Sequence, residues 1–172
     1  MINDTIRLSE LDAVHMEIVT EKLDVYELAQ NCVDTLQVKA DKMEVTIRIA
    51  GEPCILETSR EMINELLYNL CDNAIRYNKK GGRVLVLVGE NEYKEKYIEV
   101  KDNGIGIPME YQERVFERFY RVDKSRSKET GGTGLGLAIV KHIIVQLHAR
   151  LEMDSEEGKG TMMRIVFAKK EN

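Results

Sequence analysis

The chain lacks any surplus of positive charge, any long hydrophobic run and any cysteine framework. Its 25 lysines and arginines face 30 aspartates and glutamates, and the net charge of −5 excludes nonspecific nucleic-acid binding. No apolar run approaches the roughly 18–20 residues that cross a bilayer, and no secretory apolar segment follows Met1. Cys32, Cys54 and Cys71 are odd in number and widely spaced. They fit neither a metal-ligand spacing nor a disulfide framework, so reduced thiols of a cytosolic domain are expected. Only Pro53 and Pro108 interrupt the chain, and no internal repeat or low-complexity linker divides its 172 residues. One domain is therefore expected. In so acidic a chain, a polyanionic ligand has to be met by a local basic cluster.

What is present is a regular alternation of patterns. Residues 1–13 place Ile2, Ile6, Leu8 and Leu11 among charges, as at the end of a helix. Two runs, His15–Thr20 and Glu44–Ile49, read as strands. Between them Val25, Leu28, Ala29, Cys32, Val33 and Leu36 recur with helical spacing behind Asp24, a natural N-cap. A strand near Cys54–Glu57 and a second helix, capped by Ser59 and running from Arg60 to about Asn78, follow. Arg83–Gly89 and Tyr97–Lys101 form an expected hairpin, and Pro108–Arg121 a short helix. A helix over Leu135–His148 and a hairpin of Arg150–Met153 with Met162–Phe167 close the chain. This order predicts an α/β (α+β) two-layer sandwich, with a mixed sheet packed on about three helices.

Four segments carry chemistry. On the second helix, Asn69, Asn73 and Arg76 fall within about 60° of arc beside an apolar stripe. Asparagine is a poor helix former, yet its carbonyl is a good hard-oxygen ligand for Mg²⁺ shared with phosphates. Two asparagines flanking a buried face is the plainer explanation. Next, Asp102-Asn103-Gly104-Ile105-Gly106-Ile107-Pro108 ends a strand in a carboxylate, followed by glycines that let backbone approach a ligand. Such an aspartate can accept the exocyclic amine of adenine, although an ordinary Asp-Asn-Gly turn would explain the first glycine. Third, Gly131-Gly132-Thr133-Gly134-Leu135-Gly136-Leu137 opens the last helix, where free backbone N–H groups suit phosphate. A polar segment precedes these glycines instead of a strand, which weakens the dinucleotide-binding alternative, and no Gly-Lys-Ser/Thr of a Walker A loop occurs. Between the glycine segments, Arg114, Arg118, Arg121, Lys124, Arg126 and Lys128 supply the basic cluster, with Phe116, Phe119 and Tyr120 interleaved.

In this order the segments resemble the catalytic and ATP-binding domain of bacterial sensor histidine kinases, from about His15 to Phe167. Glu65–Ala74 is similar to the family's N box and Asp102–Pro108 to its first glycine box. Phe116–Arg121 is similar to its F box, and Gly132–Leu137 to its second glycine box. The resemblance implies the Bergerat ATP-binding fold over residues 14–172, with 1–13 the end of a dimerisation helix or a linker. It implies ATP and Mg²⁺ as ligands, Asn73 on the metal and Asp102 on the adenine amine. Asn69 and Arg76 would face the phosphates, Tyr77 would stack near adenine, and Arg118 would reach toward the phosphate end. Gly104, Gly106, Ile107, Thr133, Gly134, Leu135, Gly136 and Leu137 would line the nucleotide, and 122–131 would form a mobile lid. Two positions depart from the pattern: the family commonly has lysine where Arg76 stands, and threonine or serine where Asn78 stands.

The same fold serves gyrase-type and chaperone ATPases, in which a glutamate one helical turn before the metal asparagine activates water. Asn69 occupies that position here and is no general base at neutral pH. The resemblance therefore implies a kinase, with Asn69, Arg76 and Arg118 as catalytic residues. A degenerate pseudokinase and an anti-sigma-type regulator are the alternatives from another class. The family's acceptor histidine is followed by an acidic residue and, a few positions on, a proline. None of His15, His142 and His148 has that setting. The expected partners are a dimerisation and histidine-phosphoacceptor domain and a response-regulator receiver domain, with no nucleic acid and a monomeric chain. The location implied is the cytoplasm, with the parent protein anchored in the bacterial inner membrane.

Overall fold

The computed structural model describes residues 18–122 and 134–169. Seven strands and three helices are formed among them: β1 Glu21–Asp24, α1 Val25–Lys42, β2 Thr46–Gly51, β3 Ile55–Thr58 and α2 Arg60–Arg76 in the first half. The second half holds β4 Arg83–Glu90, β5 Lys96–Asp102, α3 Gly136–Gln146, β6 Ala149–Glu156 and β7 Gly160–Phe167. The expected two-layer α+β sandwich is what the chain forms.

Both long helices start where their capping residues place them. The Asp24 carboxylate accepts the Tyr26 N–H at 3.0 Å and also the Cys54 N–H at 2.9 Å, so one side chain caps α1 and fixes the entry to β3. Ser59 Oγ accepts the Met62 N–H at 3.2 Å and caps α2, with Glu61 in its first turn and Arg76 in its last, both favourable to the helix dipole. The apolar stripe of α2 buries Ile63, Leu66 and Leu67 completely. Each such side chain is worth about 1.5–3 kcal/mol over its exposed state.

Five strands form one sheet in the order β2-β4-β5-β7-β6; β1 and β3 pair as a separate antiparallel ribbon. Only β2–β4 is parallel, and its crossover runs through β3 and α2. On β4, β5 and β7 the buried row Val84, Val86, Val88, Ile98, Val100, Met163 and Ile165 faces the helices. Strand alternation continues that row from Ile98 and Val100 to Asp102, so a carboxylate terminates the apolar face.

Two expectations are corrected. Ile18–Thr20 is not a strand; the strand begins at Glu21, where pairing with Thr58 of β3 becomes available. His15 and residues 1–13 lie outside the described residues. Pro108–Arg121 is no continuous helix but two short 3₁₀ turns, Met109–Tyr111 and Arg114–Phe116. Glu117 is extended and Phe119 is left-handed at φ 63°, which no α-helix passes through. Among the described residues no helix is long and apolar enough to cross a membrane.

Candidate functional site

The site lies where α2, the end of β5 and the start of α3 meet, since α2 packs against both of the others. Asp102 is its most constrained group. One carboxylate oxygen accepts the Gly104 N–H at 2.9 Å and the Thr161 N–H at 3.3 Å. Burial nevertheless dominates these bonds and raises the carboxyl pKa to about 6. The carboxylate is thus held at the edge of the core, desolvated and poorly compensated by its own chain. A ligand donor would relieve that.

The loop after Asp102 is fastened on every side. Asn103 Oδ1 accepts the Arg83 N–H at 2.6 Å, and the Ile105 N–H donates to the Tyr77 carbonyl at 3.1 Å. The Gly158 N–H donates to the Ile105 carbonyl at 2.7 Å, and the Ile107 N–H to Ser155 Oγ at 2.8 Å. Gln112 Nε2 spans the Ile107 and Ser155 carbonyls at 2.9 and 3.0 Å. A Cβ on Gly104 would stand 2.4 Å from the Tyr77 carbonyl oxygen, and one on Gly106 (φ +67°) 2.0 Å from that of Glu156. Close backbone approach therefore requires both glycines, for packing as much as for any ligand.

Asn69 is buried to 8% exposure, and its Nδ2 donates to the Glu65 carbonyl one turn back at 2.8 Å. A Cβ on Gly136 would lie 3.3 Å from Asn69 Oδ1, so the second glycine segment rests on this amide. Leu135, Gly136 and Leu137 open α3, which has no side-chain cap at its N-terminus. The Phe119 N–H donates to the Gly134 carbonyl at 2.9 Å, joining the aromatic segment to the same helix start. Arg118, just before, is exposed. Asn73 is half-buried, and its side-chain amide makes no hydrogen bond among the described residues. Thr133 lies outside the described residues.

Arg76 ends α2, three residues beyond Asn73. Its Nε donates to Asp72 Oδ2 at 2.7 Å, and Lys39 of α1 holds the other Asp72 oxygen. The guanidinium thus belongs to a charge network at the α1–α2 seam. Asn78, the second departure from the family pattern, is a turn residue, 3% exposed. Its Nδ2 donates to the Arg83 carbonyl at 3.2 Å and its Oδ1 accepts the Lys79 N–H at 2.8 Å. Asn78→Ala is expected to destabilise the chain by about 1–2 kcal/mol in urea denaturation, because two part-buried side-chain to backbone hydrogen bonds are lost.

The sequence reading missed Ser155, Gly160 and Thr161. Ser155 Oγ and Thr161 Oγ1 share a hydrogen bond of 2.7 Å beside Asp102. The available signal was the Gly158-Lys159-Gly160-Thr161 run, read only as a hairpin turn.

Comparison with known proteins shows the family and the fold. Residues 58–171 match the family of histidine kinase-, DNA gyrase B- and HSP90-like ATPases. The chain is 36% identical to the sensor histidine kinase WalK of Bacillus subtilis over 99% of its own length, and spans 28% of that protein. The sensor protein kinase WalK of Staphylococcus haemolyticus is 34% identical over 97% of the chain, again with 28% of the relative covered. Among solved structures, the mycobacterial sensor histidine kinase MprB superposes with a TM-score of 0.74 at 26% identity, covering 87% of this chain and 97% of that one. Full-length ShkA in complex with AMPPNP superposes at 0.83 and 23% identity, covering 96% of this chain and 34% of that one. The chain belongs to the histidine kinase-, DNA gyrase B- and HSP90-like ATPase family, and its domain is of the sensor histidine kinase type.

Proposed function

We propose that this chain binds Mg·ATP and passes the γ-phosphoryl group to a histidine on a separate phosphoacceptor domain, for relay to a response regulator. The observation that carries kinase over hydrolase is Asn69. Where a water-activating glutamate would stand there is a buried amide, tied to the Glu65 carbonyl and leaning on Gly136. An amide withdraws no proton from water at neutral pH. ATP therefore survives on the site until an acceptor arrives.

Asp102 would accept the adenine amine, and its raised pKa fits a carboxylate awaiting a donor. Asn73 would hold Mg²⁺ through its side-chain oxygen, which is not committed elsewhere among the described residues. Among those residues no group of three or more His, Cys, Asp or Glu side chains could hold a metal. The remaining ligands would then be phosphate oxygens and water. Bound Mg²⁺ supplies charge neutralisation to the phosphates. The N–H groups at the uncapped start of α3 would face the phosphates, and Arg118 would approach them from the aromatic segment. Arg76 would face the phosphates from the end of α2 while its Nε stays on Asp72. The parent protein would carry the acceptor domain and a membrane anchor.

The test uses ATP labelled at the γ position. With this chain alone we expect tight Mg-dependent binding, hydrolysis far slower than a dedicated ATPase, and no protein-bound label. With an added helical-hairpin acceptor domain from a related kinase, label should appear on histidine as an acid-labile adduct. Fast hydrolysis abolished by Asn69→Ala would establish an ATPase instead, and absence of nucleotide binding would establish a pure interaction module.

A further inference from the structure

The grip on Arg76 begins on another helix. Around α2, Asp72 lies about 60° from Asn69, with Arg76 between them at about 20°. Asp72 Oδ2 accepts the Arg76 Nε–H at 2.7 Å, one turn along the helix. Asp72 Oδ1 accepts from Nζ of Lys39, which stands in the last turn of α1 where the two helices pack together. The side chains of Lys39, Asp72 and Arg76 are 29, 14 and 17% exposed. This is therefore not the fully solvated kind of ion pair that contributes little. Lys39 belongs to none of the segments that resemble the family's boxes.

The division of the two carboxylate oxygens has a chemical consequence. A guanidinium is a planar fork, and a carboxylate that turns both oxygens toward it takes it in a bidentate grip. Here Lys39 holds Oδ1 from the α1 side, and Asp72 meets the guanidinium through Oδ2 at Nε. That bond sets the plane of the fork, and the terminal nitrogens are the part of the side chain that would face phosphate. A lysine at this position, as the family commonly has, carries one nitrogen and no plane to set.

We propose that Lys39 and Asp72 are positioning residues for phosphate binding: Lys39 holds one Asp72 oxygen, so that Asp72 fixes Arg76 by Nε without capturing its terminal nitrogens. Neither residue touches the nucleotide, and both act through Arg76, so the proposal rests on the nucleotide reading above. Without Lys39 the Asp72 carboxylate turns its second oxygen to the guanidinium and closes the bidentate grip. A terminal nitrogen is then drawn away from the phosphates. The adenine end is untouched, because Asp102 stands on β5 and is held by Gly104 and Thr161. A clamp that served only to join α1 to α2 would instead disturb both ends of the nucleotide alike.

The 172-residue chain is compared with Lys39→Met, Lys39→Arg, Arg76→Met and the double variant Lys39→Met/Arg76→Met. Mg·ATP affinity is measured by calorimetry, and that of adenosine, which has no phosphate, by nuclear magnetic resonance titration. Lys39→Met should weaken Mg·ATP about five- to tenfold and leave adenosine within about twofold of the wild type. Lys39→Arg should bind both ligands like the wild type, since a guanidinium can hold the same oxygen. In the Arg76→Met background, Lys39→Met should cause no further loss. Equal losses for Mg·ATP and adenosine would make Lys39 a helix clamp and overturn the proposal. So would a loss that persists without Arg76, which would assign the effect to the Lys39 charge itself, or an unchanged Mg·ATP affinity in Lys39→Met. A wild-type chain that binds neither ligand would remove the nucleotide reading and this proposal with it. That failure is distinct, because the others are measured against a wild type that binds.

Discussion

Replacing Asp102 with asparagine is expected to weaken adenine-nucleotide binding by about 1.5–3 kcal/mol, roughly ten- to hundredfold, while making the nucleotide-free chain harder to unfold. The loss in binding follows from removing a charged acceptor for the adenine amine. The gain in stability follows from burial, which raises the Asp102 pKa to about 6. Asparagine keeps an oxygen for the Gly104 and Thr161 N–H groups and removes only the desolvated charge. Below about pH 4 the carboxyl is protonated in both folded and unfolded chains, so its charge has no effect there. From about pH 4 to 6 the unfolded chain ionises first, and the wild type steadily loses stability relative to the variant. Above about pH 7 the difference is complete, at most about 3 kcal/mol. Denaturation of both proteins at pH 4 and pH 7.5 measures it. Binding has the opposite sign: wild-type affinity should fall as pH drops through 6, about tenfold for each further unit, while Asp102→Asn stays flat. An unchanged affinity in the variant at pH 7.5 would refute the adenine assignment.

The second large effect lies at Gly160, which opens β7 opposite Glu156 in the last hairpin. Its φ of +119° is open only to glycine, and a Cβ there would stand 2.1 Å from the Asp102 carbonyl oxygen. Gly160→Ala is expected to cost about 3–5 kcal/mol and to displace Asp102 in whatever fraction stays folded. Gly158, at φ +83°, faces open space, so Gly158→Ala should cost only about 1 kcal/mol and leave binding intact. Equilibrium denaturation and nucleotide titration of the two variants separate backbone strain from collision with the site. Equal effects from both would show that the Asp102 contact is immaterial.

Local features were legible in the chain. Asp24 and Ser59 announced their helices because capping depends on neighbours two or three residues away. The β4–β5 and β6–β7 hairpins showed in alternation around turn residues. What escaped the reading depends on partners distant in sequence. Phe119 turns left-handed where its N–H meets the Gly134 carbonyl, so a stretch with helical composition is not a helix. Arg76 carries the expected charge, but Lys39 and Asp72 decide where it is held. Thr161 reaches Asp102 only after β5 and β7 pair.

That β5–β7 pairing has a consequence for how the chain folds. β4–β5 and β6–β7 are hairpins that can zip locally, whereas β5–β7 joins two hairpins separated by α3 and must close a long loop. Asp102 and Thr161 face each other at the end of that late-forming ladder. The carboxyl therefore gains the Thr161 N–H, which offsets part of its burial, only when the two halves of the sheet have met. Its titration during refolding would time the arrival of the final contact.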